Sequence, residues 1–169
     1  SFKLPKGHFT VSVYCSAHNP GARELAEELN LIWPGLLRVA DAQASSDLSA
    51  CDHMLVYLNA LTWTHDPEAL AADIREAMRI GLHLQPCNEF PSVLDPGSER
   101  GAVEFKRIMD ATPADLKRGP TNIYSQIAIA LKGGELREPG RANLAERLAQ
   151  RNGRRSKTTY SDTSVTSHQ

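Results

Sequence analysis

No stretch of the 169 residues comes near the ~20 consecutive apolar positions that a membrane-spanning helix requires, so no membrane span is expected. Excess charge is also missing. The formal net charge is -1, which gives no global attraction to nucleic acid or to an anionic membrane. Cysteine is scarce: Cys15, Cys51 and Cys87 are odd in number, widely spaced and free of any C-x-x-C pairing. A disulfide framework or a structural zinc site would look different, so buried free thiols in a reducing, cytoplasmic compartment are the expectation. The opening Ser1-Phe2-Lys3-Leu4-Pro5 lacks the apolar segment of a secretory leader. It also lacks an initiator Met, and a larger parent chain is one reading of that start.

Several chemistries are excluded by missing motifs. There is no G-x-x-x-x-G-K-[ST] and no G-x-G-x-x-G, which argues against P-loop nucleotide hydrolysis and ordinary dinucleotide binding. The six histidines show neither H-x-x-x-H nor H-E-x-x-H, so no metal site is expected. Cys15, Ser16 and His18 share one loop, but without a G-x-S-x-G elbow the favoured reading is a buried thiol beside surface histidines. No cofactor is required by any residue pattern.

What the sequence does contain is alternation. Phe9 to Tyr14 is β-branched and aromatic and reads as a strand, followed by a small-residue loop from Cys15 to Gly21. Ala22 to Asn30 has Leu25, Ala26 and Leu29 on one face and reads as an amphipathic helix. Leu36 to Ala40 is a second strand ending at Asp41, and Ala42 to Cys51 leaves room for a turn or two of helix. His53 to Leu58 is the most continuous apolar run, as a central parallel strand covered on both faces requires. Asp66-Pro67 starts a helix, with Asp as N-cap and Pro in the first turn, and Leu70, Ile74, Ala77 and Met78 keep a buried stripe. Leu82 to Cys87 is a fourth strand cut off at Pro86. Glu104 to Ala111 reads equally as a short helix or an edge strand. Thr112-Pro113-Ala114-Asp115 signals a helix start, and the spacing of Ile123, Ile127 and Leu131 predicts a helix over Asn122 to Lys132, closed by Gly133-Gly134. Leu144 and Leu148 suggest a last helix between Leu136 and Arg151.

Strand–helix alternation of this kind implies right-handed crossovers and one α/β domain over residues 1–149. It is a three-layer sandwich with a four- or five-stranded parallel sheet. From Gln150 onward Arg151, Arg154, Arg155 and Lys157 face one acid, Asp162, so this stretch carries +3 and the first 149 residues -4. With almost no large apolar residue it reads as a disordered basic Ser/Thr-rich tail.

Ligands of parallel sheets bind outside the carboxyl ends of the strands. That edge holds Cys15 to Asn19, Asp41, Asn59 to Trp63 and Cys87 to Phe90. Ser16, His18, Asn19, Asn59 and Trp63 are the candidate binding residues there. Glu68, Asp73 and Glu76 lie on the helix after the third strand. A carboxylate in a partly apolar crevice can hold a ribose or stabilise an oxocarbenium-like centre; the favoured reading of these acids is a solvated helix face paired with the helix N-terminus.

Three segments carry a family likeness. Phe9-Thr-Val-Ser-Val-Tyr-Cys-Ser16 with Ala22-Arg-Glu-Leu-Ala-Glu-Glu-Leu29 resembles the first strand, loop and helix of Toll/interleukin-1 receptor (TIR) domains. Cys51-Asp-His-Met-Leu-Val-Tyr-Leu-Asn-Ala-Leu-Thr-Trp63 resembles their third strand and following loop. Asp73-Ile-Arg-Glu-Ala-Met-Arg-Ile-Gly-Leu-His-Leu-Gln-Pro86 resembles the next helix and strand. The resemblance implies a flavodoxin-like fold and a signalling module that works by self-association or by binding protein partners. In some members it also implies cleavage of NAD, as substrate, at the nicotinamide–ribose bond by a Glu on the helix after the third strand. Aligning on Ala77 and Gly81 puts Asp73 at that position; aligning on Trp63 favours Glu68. A nucleoside deoxyribosyltransferase-like enzyme and a structural accessory domain of a larger assembly are the remaining readings.

Overall fold

The computed structural model describes residues 2–40 and 46–150. Asp41 and the basic stretch from Arg151 onward lie outside the described residues. Five parallel strands form one sheet in the order β2-β1-β3-β4-β5: β1 Val11–Tyr14, β2 Leu37–Ala40, β3 His53–Leu58, β4 His83–Glu89 and β5 Ile129–Leu131. The helices are α1 Ala22–Ile32, the single turn α2 Ser46–Ser49, α3 Pro67–Arg79, α4 Phe105–Ala111 and α5 Arg137–Ala149. This is a flavodoxin-like α/β sandwich, with the reversal of strand order falling between β1 and β3.

The two faces of the sheet follow from period-2 alternation along the strands. In β3, Leu55 and Tyr57 pack with Val11, Val13 and Cys87 under α1 and α5, where Leu25, Leu29, Leu144 and Leu148 close the layer. Met54, Val56 and Leu58 face the other way, into Leu70 and Ile74 of α3 and Ile108 of α4. All six residues of β3 are buried, as its unbroken apolar run requires. Helix α3 begins as the sequence dictates: Asp66 accepts a hydrogen bond from the Ala69 amide at 3.3 Å, and Pro67 occupies the first turn. The three thiols are free and buried; burial pushes Cys15 up to about 12 and Cys87 well above its ordinary value.

Two expectations need correction. Asn122–Lys132 is not a helix. Ile123–Ser125 is a short 3-10 turn, and Ile129–Leu131 is the fifth strand, paired Cys87↔Ile129 and Glu89↔Leu131. The four-residue spacing misled because Ile127 is 85% exposed and belongs to no buried stripe. The decisive pattern is buried Ile129, exposed Ala130, buried Leu131, with period 2. Glu104–Ala111 resolves to a helix, α4, and supplies no strand. Strand β4 also runs through Pro86 to Glu89. Pro86 pairs with Val56, while the β5 ladder begins one residue later, so the missing amide falls where β4 still has an open side.

Candidate functional site

The carboxyl edge of the sheet gathers the loops after β1, β3 and β4 and the start of α5. In the first loop, the Asn19 side chain bonds both backbone groups of Tyr57, donating to its carbonyl at 2.7 Å and accepting from its amide at 2.8 Å. Asn59 donates to the Pro20 carbonyl at 3.0 Å and accepts from the Leu61 amide at 2.8 Å. Both amides therefore tie the β1 and β3 loops together, and their hydrogen-bonding capacity is largely used by the backbone. Trp63 is buried at 6% exposure among the side chains packed on α3 and α4.

The remaining sequence candidates fall on the α3 side. Asp73 Oδ2 accepts from Ser16 Oγ at 2.5 Å and from the Tyr14 hydroxyl at 3.4 Å. Ser16 Oγ in turn accepts from the His18 amide at 3.1 Å, and the His18 ring lies 3.6 Å from Asp66. Glu68 is set apart: its side chain is 78% exposed and lies 3.7 Å from Arg75, which also forms a two-pronged pair with Asp115. The structure thus brings Ser16, His18 and Asp73 together and leaves Glu68 on an open helix surface. Among the described residues no group of three or more His, Cys, Asp or Glu is disposed to hold a metal ion.

A cleft of about 560 Å³ opens on the opposite face, under α1 and α5. Its walls are Pro20, Gly21, Glu24 and Glu28 from the β1 loop and α1, Asn59–Leu61 after β3, Ser98–Gly101 after β4, and Arg137 at the start of α5. It lies at the point where strand order reverses, the position that parallel sheets use for ligands. Gly21 makes the entrance possible: its φ is +82°, and a Cβ there would stand 2.7 Å from the Tyr57 ring.

Behind the wall runs a chain of ion pairs. Glu89, the last residue of β4, is fully buried; one oxygen accepts from the Tyr57 hydroxyl at 2.8 Å and from Arg137 Nη1 at 2.7 Å. Arg137 also forks onto Glu28 at 3.0 and 3.1 Å, and Arg141 reaches the same carboxylate at 2.7 Å. Arg100 lies 3.5 Å from Glu89, 3.1 Å from Asp95, and against Glu99. Burial alone would raise the Glu28 carboxyl, but the hydrogen bonds from Arg137 and Arg141 outweigh it and hold the carboxyl below its ordinary value. Burial and the neighbouring Glu89 raise the Tyr57 phenol far above its usual range, so it remains a donor.

Sequence reading missed Glu24, Glu28, Glu89, Arg100 and Arg137 as members of one site. Nothing local marked Glu89: it closes β4, whose His-Leu-Gln-Pro-Cys-Asn-Glu sequence does not reveal that the acid is fully buried. The pairing of positions 28 and 137 could come only from the packing of α5 against α1. No protein-family model, curated protein or solved structure matches the chain.

Proposed function

We propose that this domain is a self-associating interaction module whose copies dock head to tail along the strand direction. One observation carries the reading: the exposed large apolar side chains divide between the two ends of the parallel sheet. Leu61, Val93, Leu94 and Leu136 stand at the carboxyl end, with Val93 and Leu94 at 100% and 97% exposure on the loop after β4. Phe9, Leu31, Ile32 and Ile127 stand at the amino end, with Leu31 at 84%. Clustered exposed apolar surface marks interaction sites. Two different patches at opposite poles favour a heterologous contact, in which the carboxyl pole of one copy covers the amino pole of the next. The likeness to TIR domains supports the same reading.

Sedimentation velocity across a wide concentration range tests it. Association that grows with concentration is expected, and Val93→Asp/Leu94→Asp should abolish it. A wild-type monomer at every concentration would refute the proposal.

A second reading, cleavage of an N-glycosidic bond such as that of NAD, is favoured by one contact. Asp73 is a helix carboxylate drawn up to Ser16 in the strand-end loop, and it is the acid that one alignment of the family likeness, on Ala77 and Gly81, assigns to catalysis; the other, on Trp63, assigns Glu68. Asp73 does not line the cleft under α1 and α5. Nicotinamide release from NAD that is lost in Asp73→Ala supports this reading; the absence of release even from the artificially clustered domain removes it.

A further inference from the structure

Strand β4 carries a complementary feature at each of its ends. After its carboxyl end the chain closes a turn: the Ser92 amide and hydroxyl both donate to the Asp95 carbonyl, at 3.0 and 3.1 Å. The Asp95 carboxylate is braced by Arg100 at 3.1 Å and by the Gly97 amide at 3.0 Å, and a Cβ on Gly133 would overlap it from behind. At the tip of this braced turn Val93 and Leu94 are almost wholly bare. A pair of aliphatic side chains already ordered for contact costs little further entropy when it is buried.

Before the amino end of β4 a groove of about 370 Å³ opens between the α3–β4 junction and the segment leading into β5. Its floor is apolar, formed by Leu82, Leu84 and Ile123, all buried members of the core under α3. Its rim is polar, formed by Asn122, Ser125 and Gln126. An apolar centre inside a polar rim is the anatomy of a protein–protein contact. The charges of the two features are also complementary. Pro91 to Glu99 holds Asp95 and Glu99 and no base, whereas Leu116 to Gln126 holds Lys117 and Arg118 and no acid. The Glu99 side chain is 65% exposed, and Arg118 is exposed as well.

We infer that the occupant of this groove is the Val93–Leu94 tip of a second copy of the chain. The inference rests on the self-association proposed above and names its seat. Tip and groove lie at opposite ends of one strand, so a copy whose carboxyl pole meets the amino pole of the next brings them together. The contact is heterologous and repeats from copy to copy, and the other exposed apolar side chains of the two poles flank it.

Cysteines placed on separate copies of the full chain test this, since its own three thiols are buried. Leu94→Cys mixed with Gln126→Cys should form a disulfide-linked heterodimer under mild oxidation faster than Leu94→Cys mixed with Leu31→Cys. Gln126 is exposed, so substitution there keeps the fold. Gln126→Glu, which sets an acid against the acidic loop, should weaken association in sedimentation velocity by about fivefold, the factor that one charge contact contributes at a wet surface. If the wild type associates but crosslinking does not favour Gln126→Cys, or Gln126→Glu associates equally well, the groove assignment is overturned and self-association stands. A wild type that is monomeric at every concentration, with no preferred crosslink, overturns both.

Discussion

Replacing Glu89 with Ala removes the one fully buried carboxylate that joins β4 to α5. In the native protein this side chain satisfies the Tyr57 hydroxyl at 2.8 Å and Arg137 at 2.7 Å, and it lies 3.5 Å from Arg100. Truncation leaves the phenol, whose residue is 5% exposed, without its acceptor, a loss of about 1–3 kcal/mol for a buried polar group. It also takes a counter-charge from two largely buried guanidiniums, and breaking a buried pair from one side costs about 3–5 kcal/mol. Arg137 keeps Glu28 and Arg100 keeps Asp95, so the losses overlap and a total of about 3–4 kcal/mol is expected. For a domain of this size, about 2–4 °C of midpoint accompanies each kcal/mol, so the thermal midpoint should fall by about 10 °C. Urea unfolding should show a lower midpoint with an unchanged slope. Glu89→Gln, which keeps an acceptor for Tyr57, should lose less than Glu89→Ala, and in a Tyr57→Phe background the gap between the two should narrow. A loss below about 1 kcal/mol for Glu89→Ala would refute the view that these buried charges depend on one another.

Three further outcomes follow from the geometry. His53 is buried with Nε2 against the Leu148 and Gln150 carbonyls, and its Nδ1 lies 2.9 Å from Nδ1 of His83. Burial lowers both imidazoles; at His83 the charges of His53 and Arg147 add to this, while at His53 the hydrogen bonds to the Gln150 and Leu148 carbonyls and the charge of Asp52 oppose it without reversing it. The folded protein therefore prefers the neutral pair. Its stability is fully present above the ordinary imidazole value of 6.5 and falls as acid is added below it, so thermal midpoints measured from pH 8 downward should drop in that window, and less so in His83→Asn. Asp66→Ala removes the α3 N-cap and should cost about 1 kcal/mol by urea unfolding. Gly21→Ala forces a side chain into φ +82° and against the Tyr57 ring; a loss of about 1–3 kcal/mol is expected, and a neutral result would contradict the close approach.

The fold was legible wherever local pattern and tertiary demand agree. His53–Leu58 reads as a central strand because burial on both faces requires an unbroken apolar run. Asp66-Pro67 reads as a helix start because capping is local chemistry. The fifth strand was hidden because only three residues form it, and its identity depends on pairing with Cys87–Glu89, 42 positions away. The same limit applies to the site. The carboxyl edge, including Asn19 and Asn59, could be placed from strand order alone. Whether an amide there faces a ligand or ties two loops together depends on contacts that local sequence does not encode. Glu28 looked like one more exposed acid on α1, and it became part of the cleft wall only when α5 brought Arg137 and Arg141 across to it.

Head-to-tail docking is tested most directly by mixing two variants disabled at opposite poles. Val93→Asp/Leu94→Asp removes the carboxyl-end patch, and Phe9→Asp/Leu31→Asp removes the amino-end patch; all four side chains are exposed, so the fold should survive. Each variant alone should sediment as a monomer, and an equimolar mixture should form a 1:1 dimer that grows no further. A mixture that stays monomeric, or single variants that still assemble like the wild type, would contradict docking between the two poles.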